Sequence, residues 1–182
     1  MRHHARRLYQ SQSSYHGFLL KNINWRDLPP EAFSILANAF EGTGVVGPRV
    51  WLESEDKTTA TPALLRYQAR TFEALGVVGL SAKESQITGL DRILARGRWF
   101  HEHERRALLI SERTAENLAI DLQRHEDVDI TLWGIPFKVV GVFSGKKMKE
   151  FSDLDGEPLT PAIFPSEGSM GITEVEKEAL ES

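Results

Sequence analysis

Apolar positions along the chain fall into short runs, some at helical spacing and some in strict alternation. Phe33, Leu36, Ala37 and Phe40 recur at helical spacing, Asp27 stands where a cap belongs, and Pro29-Pro30 suit a first turn. A helix is therefore predicted over 29–40, stopped by Gly42-Thr43-Gly44. Val45 to Glu53 has strand composition. Gly47-Pro48 inside it predicts an edge strand or a bend, since proline has no N–H to give to a ladder.

Residues 61–80 carry two patterns at once. Thr61-Pro62 as a helix start, Leu65, Phe72 and Leu75 on one face and Gly76 as a stop fit a helix. Leu65, Tyr67, Ala69 and Thr71 also alternate, and Val77-Val78 favours a strand. Local pattern alone leans to the helix. Further on, Ser81 and Glu84 have capping-box spacing, predicting a helix that carries Ile87, Leu90 and Leu94 and ends at Gly97.

The stretch 106–110 is predicted as a short strand, and Ser111 as the cap of a helix whose stripe is Ala115, Leu118, Ala119 and Leu122. Val128, Ile130 and Leu132 alternate with Asp129 and Thr131, the pattern of a half-buried strand. A turn at Gly134-Ile135-Pro136 returns the chain along Phe137, Val139, Gly141 and Phe143. That partner strand should turn Val139 and Phe143 to the core and Lys138 to solvent. Residues 144–165 have loop composition. Thr173 and Glu176 open a last helix still running at Ser182, so the chain reads as truncated there. The order of elements is mixed α and β, without internal repeats.

Composition narrows the function classes. Apolar residues at 41% and charged residues at 26% are ordinary for a globular domain long enough to bury a core. No apolar run approaches the roughly 20 residues of a membrane span, and the basic start leads into Gln12-Ser13-Ser14, not into the apolar core of a signal peptide. A segment lying between spans would have the same composition. With no cysteine, disulfides, thiolate nucleophiles and cysteine zinc sites are excluded. A net charge of −4 argues against a general nucleic-acid binder. The charge is uneven: residues 1–26 hold Arg2, Arg6, Arg7, Lys21 and Arg26 and no acid, while the chain from Glu150 onward is strongly acidic. The basic lead, with Tyr9, Tyr15, Phe18 and Trp25, has the make-up of a segment beside lipid headgroups or of a solvated arm.

Candidate chemistry is sparse. His101-Glu102-His103-Glu104 is the cluster most like a metal site. On a strand, His101 and His103 would share a face, and His125 or Glu126 would have to supply further ligands. Its setting between a predicted helix and strand also fits a solvated loop. His3-His4 carry no defined chemistry. Asp153-Leu154-Asp155-Gly156 resembles the opening of a calcium loop, but the twelfth position is Phe164, so a turn is the reading taken. Neither Gly42-Thr43-Gly44 nor Gly76 to Gly79 leads into a phosphate-binding signature, and no serine stands in a nucleophile elbow. Lys146-Lys147-Met148-Lys149 is a small basic cluster diluted by Glu150 and Asp153, and is read as an exposed loop. No catalytic, cofactor-binding or metal site is assigned.

Several linked pieces between Gly79 and Pro165 resemble the periplasmic core domain of MacB-type ABC-transporter permeases, the group with FtsX-like membrane segments. They are Gly97-Arg98-Trp99-Phe100, then Ala107-Leu108-Leu109-Ile110-Ser111-Glu112 with Ala115 and Leu118. Next come Ile130-Thr131-Leu132-Trp133-Gly134 and Phe137-Lys138-Val139-Val140-Gly141-Val142, and finally Asp153 to Pro161. Residues 40–80 match more loosely and 1–39 hardly at all. The resemblance implies an α+β domain of two lobes, one of β-α-β units and one a hairpin-rich insertion, in which residues 64–80 are strand against the local helical pattern. It divides the chain into a basic lead (1–27), the core domain (28–165) and the start of a further helix (166–182). It also implies that Gly97, Gly134 and Gly141 serve the backbone, and that the domain is extracytoplasmic and non-catalytic, without cofactors. In the intact permease its partners would be the parent membrane spans, an ATP-binding subunit on the cytoplasmic side, and an outside adaptor, lipoprotein or exported substrate. The alternative from a different class is a cytosolic metal-binding or hydrolytic domain using His101–Glu104.

Overall fold

The computed structural model describes residues 15–20, 28–52, 63–74, 76–124, 128–154 and 159. The fold is built on a nine-residue strand, β8 (Ile135–Phe143), which reaches three other strands. Lys138 pairs with Asp129 of β7 (Asp129–Leu132) on one edge and with Ala107 of β6 (Ala107–Ser111) on the other. Farther along, Gly141 pairs with Gly97 of β5 (Leu94–Gly97) and with Leu109 of β6. The β6 pairing is parallel, and the β5 and β7 pairings are antiparallel. β7 is extended by β2 (Ala63–Tyr67), and β2 by its hairpin partner β3 (Arg70–Ala74), giving six strands in order β3-β2-β7-β8-β5 with β6 on β8. A separate two-stranded sheet pairs β1 (Arg49–Leu52) with β4 (Val77–Leu80), so the β2–β3 hairpin is inserted between the two partners.

This is the expected α+β class, a mixed sheet with a small second sheet. Residues 63–67, 70–74 and 77–80 are strands, as the family resemblance implied and the local helical pattern did not. The alternation at Leu65 and Tyr67 wins because β7 offers a paired edge, and tertiary context overrides local propensity. Past the turn at Gln68-Ala69 it resets, so Thr71 stands opposite Arg66 and is exposed, and Phe72 carries the inward face.

The hydrophobic core forms two clusters. The first lies between the sheet and the helix α3 (Glu112–Leu118), and includes Leu65, Ile110, Leu118, Ile130, Val139 and Val142. Ile130 and Val139 are 0% exposed, and burying a side chain of this kind contributes about 1.5–3 kcal/mol. Ser111 caps α3 as expected, its Oγ accepting from the Thr114 amide at 3.0 Å. The second cluster gathers Tyr15, Leu90, Ile93, Met148, Phe151, Leu154 and Leu159, drawing chain from both ends of the described residues.

The β7–β8 hairpin follows its sequence pattern up to a bulge. Val128, Ile130 and Leu132 are buried and Asp129 is exposed. The turn is Trp133-Gly134, with φ of 48° and 81°, not Gly134-Ile135-Pro136. Ile135 already pairs with Leu132, and glycine takes the second left-handed position at little cost. The β6 register then shifts between Leu108↔Val139 and Leu109↔Gly141, leaving Val140 as the extra residue. The side-chain alternation resets there, so Val142 continues the face of Val139 in the first cluster. Phe143, expected on that face, packs on the second cluster instead. Gly141 sits where strands close in: a Cβ there would lie 2.8 Å from the Arg98 carbonyl oxygen and 2.9 Å from Leu109 Cδ2.

Other expectations fail for identifiable reasons. The helix α1 (Pro30–Ala39) forms where predicted, but its N-cap is Pro29 and none of its residues is buried. Phe33 and Phe40 are 40% and 46% exposed, so the stripe is real without being core. Asp27 lies outside the described residues. The helix predicted from Ser81 to Gly97 is cut short. Its first piece, α2 (Glu84–Thr88), has Lys83 as N-cap without a side-chain bond and ends at Gly89 in the left-handed conformation. A 3-10 turn (Leu90–Ile93) follows, and Leu94 begins β5 because β8 presents an edge to pair with. The loop expected from residue 144 contains a short helix, α4 (Gly145–Lys149), which buries Met148 in the second cluster. The helix expected from Thr173 lies outside the described residues.

Candidate functional site

The most concentrated polar chemistry is a buried cluster that no sequence motif announced. Arg49 opens β1 directly after Gly47-Pro48, and its side chain is 7% exposed. Its Nε hydrogen is shared between the two Glu84 oxygens at 3.2 Å each, and Nη2 donates to Glu84 Oε1 at 2.7 Å. Nη2 also donates to the Tyr15 hydroxyl oxygen at 2.7 Å, and Nη1 donates to Asp153 Oδ2 at 2.9 Å. Tyr15 in turn donates to Asp153 Oδ1, which also accepts from the Leu154 amide at 2.7 Å. The Tyr15 ring stacks on Phe151 with centroids 6.1 Å apart, and the guanidinium carbon lies 5.5 Å from the Tyr15 ring centre.

One cation and two carboxylates, all nearly dry, are held by geometry that only arginine supplies: a planar fork with donors on three sides. Burial alone would make the guanidinium easier to deprotonate. The hydrogen bonds to Glu84 and the charges of Asp153 and Glu84 outweigh that, and hold Arg49 more firmly protonated than usual. Tyr15 is pushed the same way, here with burial as the leading cause: burial first, then its hydrogen bond to Asp153, raises its hydroxyl well above the ordinary tyrosine range. The cluster is built to hold charge still. Beside it, the Ser81 hydroxyl is buried without a hydrogen-bond partner among the described residues, and a Cβ on Gly47 would come within 2.7 Å of it.

The histidine cluster named by sequence falls elsewhere. His101 to Glu104 form a turn on the edge of the fold, closed by charge. Glu104 accepts from Arg98 Nη1 at 2.9 Å and Nη2 at 2.5 Å, and from the His101 amide at 2.8 Å. The Arg98 bonds hold the Glu104 carboxyl down at about 2, burial opposing and the His101 amide adding to the effect. Glu104 therefore already has the arginine of the Gly-Arg-x-Phe motif as its partner. Trp99 of the same motif donates its indole N–H to the Ala82 carbonyl at 3.1 Å, tying this segment to the start of α2. Among the described residues no three His, Cys, Asp or Glu side chains are grouped to hold a metal ion. His3, His4, His125, Glu126, Asp155, Gly156 and Phe164 lie outside the described residues.

Asp153, read from sequence as part of a turn, is 5% exposed and belongs to the arginine cluster. Glu84, read as half of a capping box, is fully buried and belongs to it too. The three lysines lie on α4, not on a loop. Lys147 donates to the Arg92 carbonyl at 3.2 Å, and Lys146 approaches Glu150 at 3.9 Å in solvent. Gly42-Thr43-Gly44 makes the turn that ends α1, with the Thr43 and Gly44 amides both donating to the Phe40 carbonyl.

Comparison with known proteins fixes the family. A model of the MacB-like periplasmic core domain matches residues 5–177, nearly the whole chain, including residues 5–39 where the motifs gave little. The chain belongs to the MacB-like periplasmic core domain family. Among solved structures, it is similar to the extracellular domain of the noncanonic ABC-type transporter YknZ from Gram-positive bacteria, with a TM-score of 0.50 at 20% identity. It is also similar to the periplasmic region of MacB from Actinobacillus actinomycetemcomitans, with a TM-score of 0.49 at 15% identity. The alignments cover 67% and 72% of this chain respectively, and in each case 59% of the other. The chain thus spans about three fifths of the length of either structure. No curated protein matches the sequence. No helix among the described residues is long and apolar enough to cross a membrane.

Proposed function

We propose that this MacB-like domain is the non-catalytic extracytoplasmic part of an ABC-transporter permease, passing conformational change to an outside partner or exported substrate. The observation that carries this reading is the family match over residues 5–177, supported by a shared fold with a transporter's extracellular domain. The buried chemistry agrees with it. Arg49, Glu84, Asp153 and Tyr15 are consumed in bonds to one another, which suits a mechanical part better than a reacting one. On this reading the partners are the parent's own membrane spans, an ATP-binding subunit across the membrane, and an adaptor or lipoprotein outside. The proposed division of the chain is a lead (1–27), a core domain (28–165) and a following segment (166–182).

The test is a distance measurement in the parent permease, assembled with its ATP-binding subunit in lipid. Spin labels are placed on exposed positions of α1 and of the Trp133 turn. A non-hydrolysable ATP analogue should change the distance distribution, because the work is done by the other subunit and delivered here. An unchanged distribution, with the nucleotide bound, would contradict the relay.

A further inference from the structure

Beyond that reading, and independent of it, the arginine cluster has a consequence for how the domain moves. The second hydrophobic cluster draws on two segments far apart in sequence: Tyr15 with Leu19 from one end, and Phe151, Leu154 and Leu159 from the other. Neither segment belongs to the six-stranded sheet, and the sheet's own cluster shares no buried residue with theirs. The two segments touch each other through the Tyr15–Phe151 stack and the Tyr15–Asp153 hydrogen bond. Apolar contacts with Leu90, Ile93 and Phe143 hold them to the rest of the fold, and the polar tie is Arg49, which binds Tyr15 and Asp153 on one side and Glu84 of α2 on the other.

We propose that Arg49 is a clamp that makes the segments around Tyr15 and around Asp153 open and close as one unit, separately from the six-stranded sheet. The physical basis is the shared donor. Arg49 supplies bonds to three partners from a single rigid fork, so loosening any one partner changes the position and charge balance felt by the others. Among the described residues, Tyr15 without its hydroxyl leaves Asp153 Oδ1 with the Leu154 amide alone, and leaves one Nη2 hydrogen without an acceptor. A displacement applied to the chain near residue 15 is therefore delivered at residue 153 and at α2, and the reverse holds by the symmetry of coupling.

Hydrogen exchange on the 182-residue chain tests this, read peptide by peptide for the parent, Tyr15→Phe, Asp153→Asn and Arg49→Lys. Local opening of a cooperative unit raises exchange throughout the unit and nowhere else. Tyr15→Phe should speed exchange in the peptide covering 148–154 as well as in that covering 15–20, by at least about tenfold, equivalent to about 1.4 kcal/mol. Asp153→Asn should do the same in the 15–20 peptide. Arg49→Lys, which keeps the charge but loses the fork, should speed both, while peptides from β7 and β8 stay within about twofold of the parent. The clamp is overturned if each substitution affects only its own segment, or if β7 and β8 speed up as much as the chain ends. It is equally overturned if exchange is unchanged. Tyr15→Phe is the mildest change and keeps the test sharp should Arg49→Lys fold poorly.

Discussion

Truncating Val139 to alanine tests the bulged register of β8 more closely than any other single change. Val139 is 0% exposed, pairs with Leu108 across the parallel ladder, and lies in the first cluster with Ile130 and Leu132. Val139→Ala removes two buried carbon groups, about 1.6 kcal/mol of transfer free energy at 0.8 each, and the unfilled space adds to it, for roughly 2–3 kcal/mol in all. Val142 is also 0% exposed in that cluster, so Val142→Ala should cost about as much, although an unbroken alternation would put it on the opposite face. The control is Lys138→Gln, which should cost less than about 0.5 kcal/mol because Lys138 is exposed. Lys138→Asp is not a clean control, since Lys138 stands directly opposite Asp129 and like charges facing across a ladder destabilise. Urea unfolding followed by fluorescence gives the comparison. With a slope of about 2 kcal/mol per molar, the midpoint should fall by about 1–1.5 M for each valine variant and barely move for the control. A Val142→Ala midpoint within about 0.25 M of the parent would refute the bulge, and equal losses at Lys138 and Val139 would refute the register of the hairpin itself.

Gly141→Ala should destabilise by about 1–3 kcal/mol, because the new methyl meets the Arg98 and Arg96 carbonyls. Gly145→Ala, with nothing within 4 Å, should be neutral or stabilise α4 by up to about 1 kcal/mol, and thermal melts separate the two. An NMR titration of Glu104 should give a value near 2, returning to the ordinary carboxylate range near about 4.3 in Arg98→Ala. Because the folded value is the depressed one, this pair supports the fold fully above the unfolded-state value, and that support is lost as pH falls through the folded value toward 2. Millimolar ATP should leave the melting temperature of the isolated domain unchanged, whereas a site filled at a hundred times its dissociation constant would add about 2.7 kcal/mol.

What was legible in the sequence is what is local. The alternation of Val128 to Leu132 and the Ser111 cap depend on residues within a few positions of one another, and the structure keeps both. The helix 30–39 was equally legible, but an apolar stripe says which face is apolar and not what covers it; here no residue of the helix is buried. The Ser81–Glu84 spacing misled because Arg49, thirty-five positions away in sequence, takes the Glu84 carboxylate. Asp153 misled in the same way, with its partners Arg49 and Tyr15 separated from it by 104 and 138 positions. No window of sequence holds that cluster together. The one local hint was an arginine opening an apolar strand directly after Gly-Pro, where an exposed edge would not need it. Residues 64–80 show the opposite case: family resemblance carried long-range pairing information that the local helical pattern lacked, and β2 pairs with both β3 and β7.

The proposed function requires this domain to lie outside the cytoplasm in its parent protein, and the chain's lack of cysteine allows a direct measurement. Asn38→Cys, on the exposed side of α1, is introduced into the full-length permease in a background otherwise free of cysteine, and intact cells or spheroplasts are treated with a membrane-impermeant maleimide. Labelling at residue 38 before lysis, equal to that after lysis, is the expected result. Labelling only after the membrane is broken would place the domain in the cytoplasm and overturn the proposed function.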